Sequence, residues 1–169
     1  QSNAMALNIY CLGYDRNKKL TTLNPASKQN MQQYLEQHRM LTDSINIKDG
    51  FVINIKVDFE IIPFKNANNQ EVLMRCIERL KDYFDIDKWQ INQPIIISEI
   101  YNTIGEVTGV QSVPKVKLHN IAGAGTGYSL NKYDLDDATI KGVIYPSLDP
   151  SIFEVKKPNT DIKGRVTQY

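Results

Sequence analysis

Between Gly142 and Arg165 three prolines and two glycines interrupt a run of bulky apolar residues, and no other stretch restricts the possible folds of this chain as much. Pro146, Pro150 and Pro158 each lack a backbone donor and push the preceding residue toward an extended conformation, which forbids a long helix. Yet Tyr145, Leu148, Ile152, Phe153, Val155 and Ile162 call for burial, and a disordered tail would be poorer in them. The expectation is an extended arm that docks on a surface of the same chain or of a neighbour. Tyr145, Leu148, Ile152 and Phe153 are its expected partner-binding anchors. Such an arm points to assembly rather than to catalysis.

Upstream, the clearest strand covers residues 51–62. Phe51, Ile53, Ile55, Val57, Phe59 and Ile61 share one face, while Asn54, Lys56, Asp58 and Glu60 share the other, so one side covers a core and the other meets water or a partner. Ile45 and Ile47 flank a shorter strand just before it. A two-residue Asp49-Gly50 loop would set the two apolar rows on opposite faces. A hairpin through Lys48, Asp49 and Gly50, with Gly50 at positive φ, brings them together.

Residues 8–14 read as a first strand. Asn24 and Pro25 announce a helix, whose stripe of Met31, Tyr34, Leu35, His38 and Leu41 predicts one packed face. Asn68, three residues before Glu71, predicts the start of a second helix with Leu73, Cys76, Ile77, Leu80, Tyr83 and Phe84 inward. Ser98 is the expected cap of a short third helix ending near Gly105, and a strand over 110–118 follows. This order predicts an α+β fold: a small antiparallel or mixed sheet with helices on one face, ferredoxin-like in arrangement, plus the extended arm. Residues 1–4 read as an expression scar, 5–120 as the compact domain, and 121–169 as a glycine-rich hinge followed by the docking arm.

The formal net charge is +1, and from Asn120 to Tyr169 six Lys and Arg face six Asp and Glu. A phosphate-binding protein would show a basic patch or stripe, so the charge balance argues against nucleic acid as a partner. No apolar run approaches the roughly 18 residues of a membrane span, and the composition is that of a soluble globular protein. Cys11 and Cys76 have no Cys or His at metal-ligand spacing and read as free thiols of a reducing compartment.

Each cluster that could carry chemistry has a plainer reading. The run Gly123-Ala-Gly-Thr-Gly127 lacks the following helix and the Lys-Ser or Lys-Thr pair of a phosphate loop, so a hinge is expected. Asp134, Asp136 and Asp137 lack the spacing, central glycine and terminal glutamate of an EF-hand, which leaves a solvated turn. His119 could in principle pair with Ser129 or Cys11, but no nucleophile elbow or zinc signature accompanies His38 or His119. The expectation is therefore no catalytic, cofactor or metal site. Trp89 and the tyrosines lack the basic groove of a base-stacking platform. Tyr128, Tyr133 and Tyr145 suit a protein interface better.

The stretch GVIYPSLDPSIFEVKKPNTDIKGRV from Gly142 resembles the carboxyl terminus of the gene-product-six type of baseplate wedge protein in T-even-type contractile-tailed phages. YLEQHRMLTDSINIKDGFVINIKVDFEI from Tyr34 and KWQINQPIIISEIYNTIGEVTGVQSV from Lys88 are similar to the same proteins and to the wider baseplate J-like family. The resemblance implies a non-enzymatic structural subunit of the virion tail baseplate, assembled in the host cytoplasm. It also implies that the chain is a carboxyl-terminal fragment, that it forms a homodimer, and that it contacts other wedge proteins. The alternative is a small α+β hydrolase or transferase, and a single-strand nucleic-acid binder is more remote.

Overall fold

The computed structural model describes residues 7–38 and 44–168. Helices and strands mix there in small sheets, an α+β fold. The chain divides into two compact units, residues 1–51 and 52–169.

The first unit contains β1 (Leu7–Cys11), β2 (Gly13–Tyr14), β3 (Leu20–Thr21), α1 (Pro25–Gln37) and β4 (Ile45–Asp49). β1 and β4 pair in parallel, Leu7 with Ile45 and Ile9 with Ile47, and α1 packs on β4 in the connection between them. As the sequence predicts, Asn24 caps α1, its Oδ1 accepting from the Ser27 N–H at 2.7 Å with Pro25 in the first turn. The expected packed stripe does not form in full. Met31 and Leu35 are half-buried, His38 is exposed, Tyr34 is 62% exposed, and Leu41 lies outside the described residues. A two-stranded sheet offers too little surface to cover a whole helical face.

The expected hairpin through Lys48, Asp49 and Gly50 is also absent. β4 bonds to β1, and the Gly50 N–H donates to the Cys11 carbonyl at 3.1 Å. The glycines at positive φ are 109, 123, 125, 127 and 142, so Gly50 is not among them. Only Gly50 separates β4 from β5 (Phe51–Pro63), too short a connection for the three-residue turn. The pairing of β1 with β4, away from β5, likewise rules out the ferredoxin-like arrangement.

The second unit is organised around β5. It continues with α2 (Asn69–Tyr83), a 3-10 turn (Ile86–Lys88), β6 (Ile95–Ile96), α3 (Ile97–Gly105) and β7 (Val110–Asn120). β8 (Thr139–Ile140), β9 (Val143–Ile144), β10 (Ser151–Glu154), α4 (Pro158–Asp161) and β11 (Ile162–Val166) complete it. β7 pairs antiparallel with β5, β11 pairs parallel with it, and β10 joins the same sheet. β6, β9 and β8 form a second small sheet. α2 packs on β11, α3 on β7, and the helices on each other, which places both on one face of the mixed sheet. Ile53, Ile55, Val57, Phe59 and Ile61 are buried toward them, each contributing about 1.5–3 kcal/mol of transfer free energy.

α2 begins at the predicted cap, Asn68 Oδ1 accepting from the N–H groups of Gln70 and Glu71. Its fully buried row is Val72, Cys76 and Leu80, with Leu73, Ile77 and Tyr83 only half-buried. Ser98 does not cap α3. Ile96 precedes the helix without a side-chain cap bond, because Ile95 and Ile96 are held by pairing with β9 until the helix starts.

The larger correction concerns the carboxyl-terminal arm. It is not an appendage to a domain ending at residue 120, because β10 and β11 are both bonded to β5 and belong to the unit of residues 52–169. Ile152, Phe153, Val155 and Ile162 are core residues. The prolines sit where a missing donor costs little: Pro150 just before β10, and Pro158 in the first turn of α4. Gly164 lies opposite Phe59, where any Cβ would collide with the aromatic ring. Among the described residues no helix is long and apolar enough to cross a membrane.

Candidate functional site

The four expected anchors separate into two pairs. Ile152 and Phe153, 4% and 1% exposed, are committed to the core and cannot meet a partner in this fold. Tyr145 is 46% exposed and Leu148 fully so. Leu148 tops a loop bounded by Pro146 and Pro150 and closed by hydrogen bonds. The Tyr145 N–H donates to the Ala138 carbonyl at 3.1 Å, and the Ser147 N–H to Ser151 Oγ at 3.1 Å. Ser147 Oγ donates to the Asp149 carbonyl at 3.0 Å, while the Asn92 N–H donates to the Ser151 carbonyl at 2.7 Å. A leucine held out on a loop with so little conformational freedom loses little entropy on entering an apolar pocket, and its burial there is worth about 1.5–3 kcal/mol.

The glycine-rich run expected as a hinge lies within the second unit and is tied to it on both sides. Tyr128 donates its hydroxyl to Asp161 Oδ1 at 2.7 Å, and the Lys157 ammonium sits 4.3 Å from the Tyr128 ring centroid. Burial, and then the Asp161 carboxylate, push the Tyr128 phenol above its ordinary pKa. The Ser129 N–H donates to Asn54 Oδ1 at 2.7 Å, and Asn54 Nδ2 donates to Glu154 Oε1 at 3.0 Å. Asn54 and Glu154 are both buried, so this loop seals one end of the polar face of β5. Tyr133 donates its hydroxyl to the Tyr145 carbonyl. Tyr128 and Tyr133 therefore serve internal bonds, and only Tyr145 of the three arm tyrosines keeps an exposed ring. Asp134 Oδ1 caps a turn by accepting from the N–H groups of Asp136 and Asp137.

The rest of the polar face forms an open groove of about 400 Å³ between β7, β5 and β11. Cross-strand register sets Lys117 and Lys163 on either side of Asp58, and Lys115 and Arg165 on either side of Glu60. The central strand is thus acidic and its flanks are basic. Arg165 pairs with Glu60, Lys117 with Asp136 at 2.6 Å, and His119 Nε2 with Asp58 at 3.1 Å. The bond from Lys117 holds the Asp136 carboxyl below its usual range. Lys56, Lys115 and Lys163 make no ion pair among the described residues. No sequence motif marks this groove. Its signal was the alternation of charges along 56–60, 115–119 and 163–165, which becomes a surface only once the strands are aligned.

His119 lies in this groove, but Ser129 Oγ donates to the Val52 carbonyl at 2.6 Å and is not bonded to it. Serine, threonine and cysteine are absent from the groove lining, so it offers cationic donors for an anion and no side-chain nucleophile of those types. His38 Nδ1 contacts the Tyr34 carbonyl at 2.8 Å, and Cys11 Sγ lies 3.7 Å from Met31 Sδ. Cys76 is free and buried, and its thiol is pushed up to about 11 by that burial. A second cleft, of about 470 Å³, lies beside α2, the 3-10 turn and α3. Its charges are mutually engaged, Lys88 with Asp82 at 2.8 Å and the Tyr83 hydroxyl with Glu99 at 2.9 Å. No family model matches this chain, and no curated protein matches it.

Proposed function

We propose that this chain is an assembly module, the carboxyl-terminal part of a contractile-tail baseplate wedge subunit that self-associates as a homodimer and contacts other wedge proteins in the virion. The resemblance around residues 142–165 supplies the baseplate setting. The observation that supports an assembly role is Leu148, fully exposed on a loop that prolines and hydrogen bonds hold in place. With the ring of Tyr145 also exposed three residues earlier, this apolar side chain can be buried in a pocket on a partner at little entropic cost.

Light scattering coupled to size exclusion tests the reading directly. The intact chain is expected to run as a dimer at micromolar concentration, and Leu148→Asp as a monomer with an unchanged thermal transition. A wild-type chain that stays monomeric across a wide concentration range removes self-association from the proposal. A variant that dimerises as well as wild type removes Leu148 from the interface.

A further inference from the structure

We propose that the outer edge of β11 is an acceptor for an extended acidic segment of a partner protein, which adds to the sheet as a further strand. This surface is separate from the Leu148 loop and does not depend on the baseplate reading.

The phase of the hydrogen bonding exposes the edge. The Thr167 N–H donates to the Ile61 carbonyl at 2.9 Å, so in the parallel ladder Lys163, Arg165 and Thr167 direct their backbone groups toward β5. Ile162, Gly164 and Val166 then turn their N–H and C=O groups the other way, and since Ile162 is 3% exposed, Gly164 and Val166 carry the accessible ones. β11 pairs with β5 alone, and no hydrogen-bond partner meets those outward groups among the described residues. The opposite edge of the sheet is treated differently: the outward N–H of Val116 on β7 donates to the Tyr101 hydroxyl at 3.0 Å. That bond interrupts the outward row of β7, whereas among the described residues no such bond interrupts the row on β11.

Side chains decide what can use that row. Lys163 and Arg165 stand two residues apart on the open face of the edge strand, and Lys163 has no ion pair among the described residues. A second copy of β11 is a poor occupant. A two-fold antiparallel pairing centred on Gly164 sets Lys163 of each copy directly opposite Arg165 of the other, and like charges opposite each other destabilise a strand pair. A polyanionic nucleic acid is disfavoured by Asp58 and Glu60, which lie between the basic rows of the groove. An extended peptide with acidic residues two positions apart fits both requirements: its backbone bonds to Gly164 and Val166, and its carboxylates reach Lys163 and Arg165.

The test uses the full chain and a blocked peptide of alternating glutamate and valine, about seven residues long to match a typical strand. Calorimetric titration is read alongside amide hydrogen exchange. The acidic peptide is expected to bind and to slow exchange at Gly164 and Val166. Methylation of the peptide amides that would face β11, replacement of its glutamates by lysine, and Lys163→Glu in the protein are each expected to weaken binding by at least about tenfold. Four results overturn the proposal: no binding at millimolar peptide, binding that survives amide methylation, tighter binding of oligothymidine than of the acidic peptide, or protection of Gly164 that rises with protein concentration alone. A protein variant in which Lys163→Glu melts at the wild-type temperature confirms that its loss of binding is local.

Discussion

Residues 145–148 and 152–155 both carry bulky apolar side chains and are separated by one proline and two polar residues, yet those side chains have opposite fates. Tyr145 and Leu148 face solvent, whereas Ile152, Phe153 and Val155 are buried. The difference follows from the backbone. From Ser151 the chain becomes β10 and bonds to the sheet of β5, which draws its side chains into the core. Before Pro150 it is closed on itself by the bonds of Ser147. Hydrophobicity set the demand for burial in both stretches, but strand pairing decided which one received it.

The most severe way to break this comparison is truncation after Asn120. It removes β10 and β11 from β5 and opens the core around Phe59, so the second unit is expected to lose its cooperative thermal transition. A truncated chain that still melts sharply would restore the arm to the status of an appendage. Point substitution gives the next largest contrast. Phe153→Ala is expected to cost about 3–5 kcal/mol in denaturant unfolding, against a change within about 0.5 kcal/mol for Leu148→Ala. Equal effects at the two positions would contradict the division between core and surface.

Gly164→Ala probes how closely β11 approaches the core. The added methyl meets the Phe59 ring, and overpacking of this kind costs about 1–3 kcal/mol. Adding Phe59→Leu to that variant should recover part of the loss, and an absence of recovery would place the strain elsewhere. The smallest expected effect is Tyr128→Phe, which deletes the bond to buried Asp161 and should lower stability by about 1 kcal/mol. It also sharpens the comparison, since a silent substitution would show that the glycine-rich loop does not need its tie to α4.

Much of the local structure was legible from sequence because its causes are local. Asn24 and Asn68 cap their helices as their spacing predicts, and the alternation over 51–62 is the central strand with its odd positions from Ile53 to Ile61 inward, although Phe51 is exposed and Asn54 and Ile62 are buried as well. Charges on the polar side of that strand were legible too, though not the groove, which exists only because β7 and β11 align on either side of it. Ser98 misled because strand pairing, not a side chain, starts α3. Gly50 misled because β4 had a parallel partner in β1, far upstream in the chain.

By itself, then, the sequence determined where α1 and α2 begin and which side of β5 is apolar, since capping and side-chain periodicity act over a few residues. Tertiary structure alone decided that β4 leaves β5 for β1, that the proline-rich end supplies two strands to the main sheet, and that Leu148 is left outside while Phe153 is enclosed. Those choices rest on which backbone edge meets which. A pairing between residues about a hundred positions apart, such as Phe59 with Gly164, leaves no mark in the neighbourhood of either one.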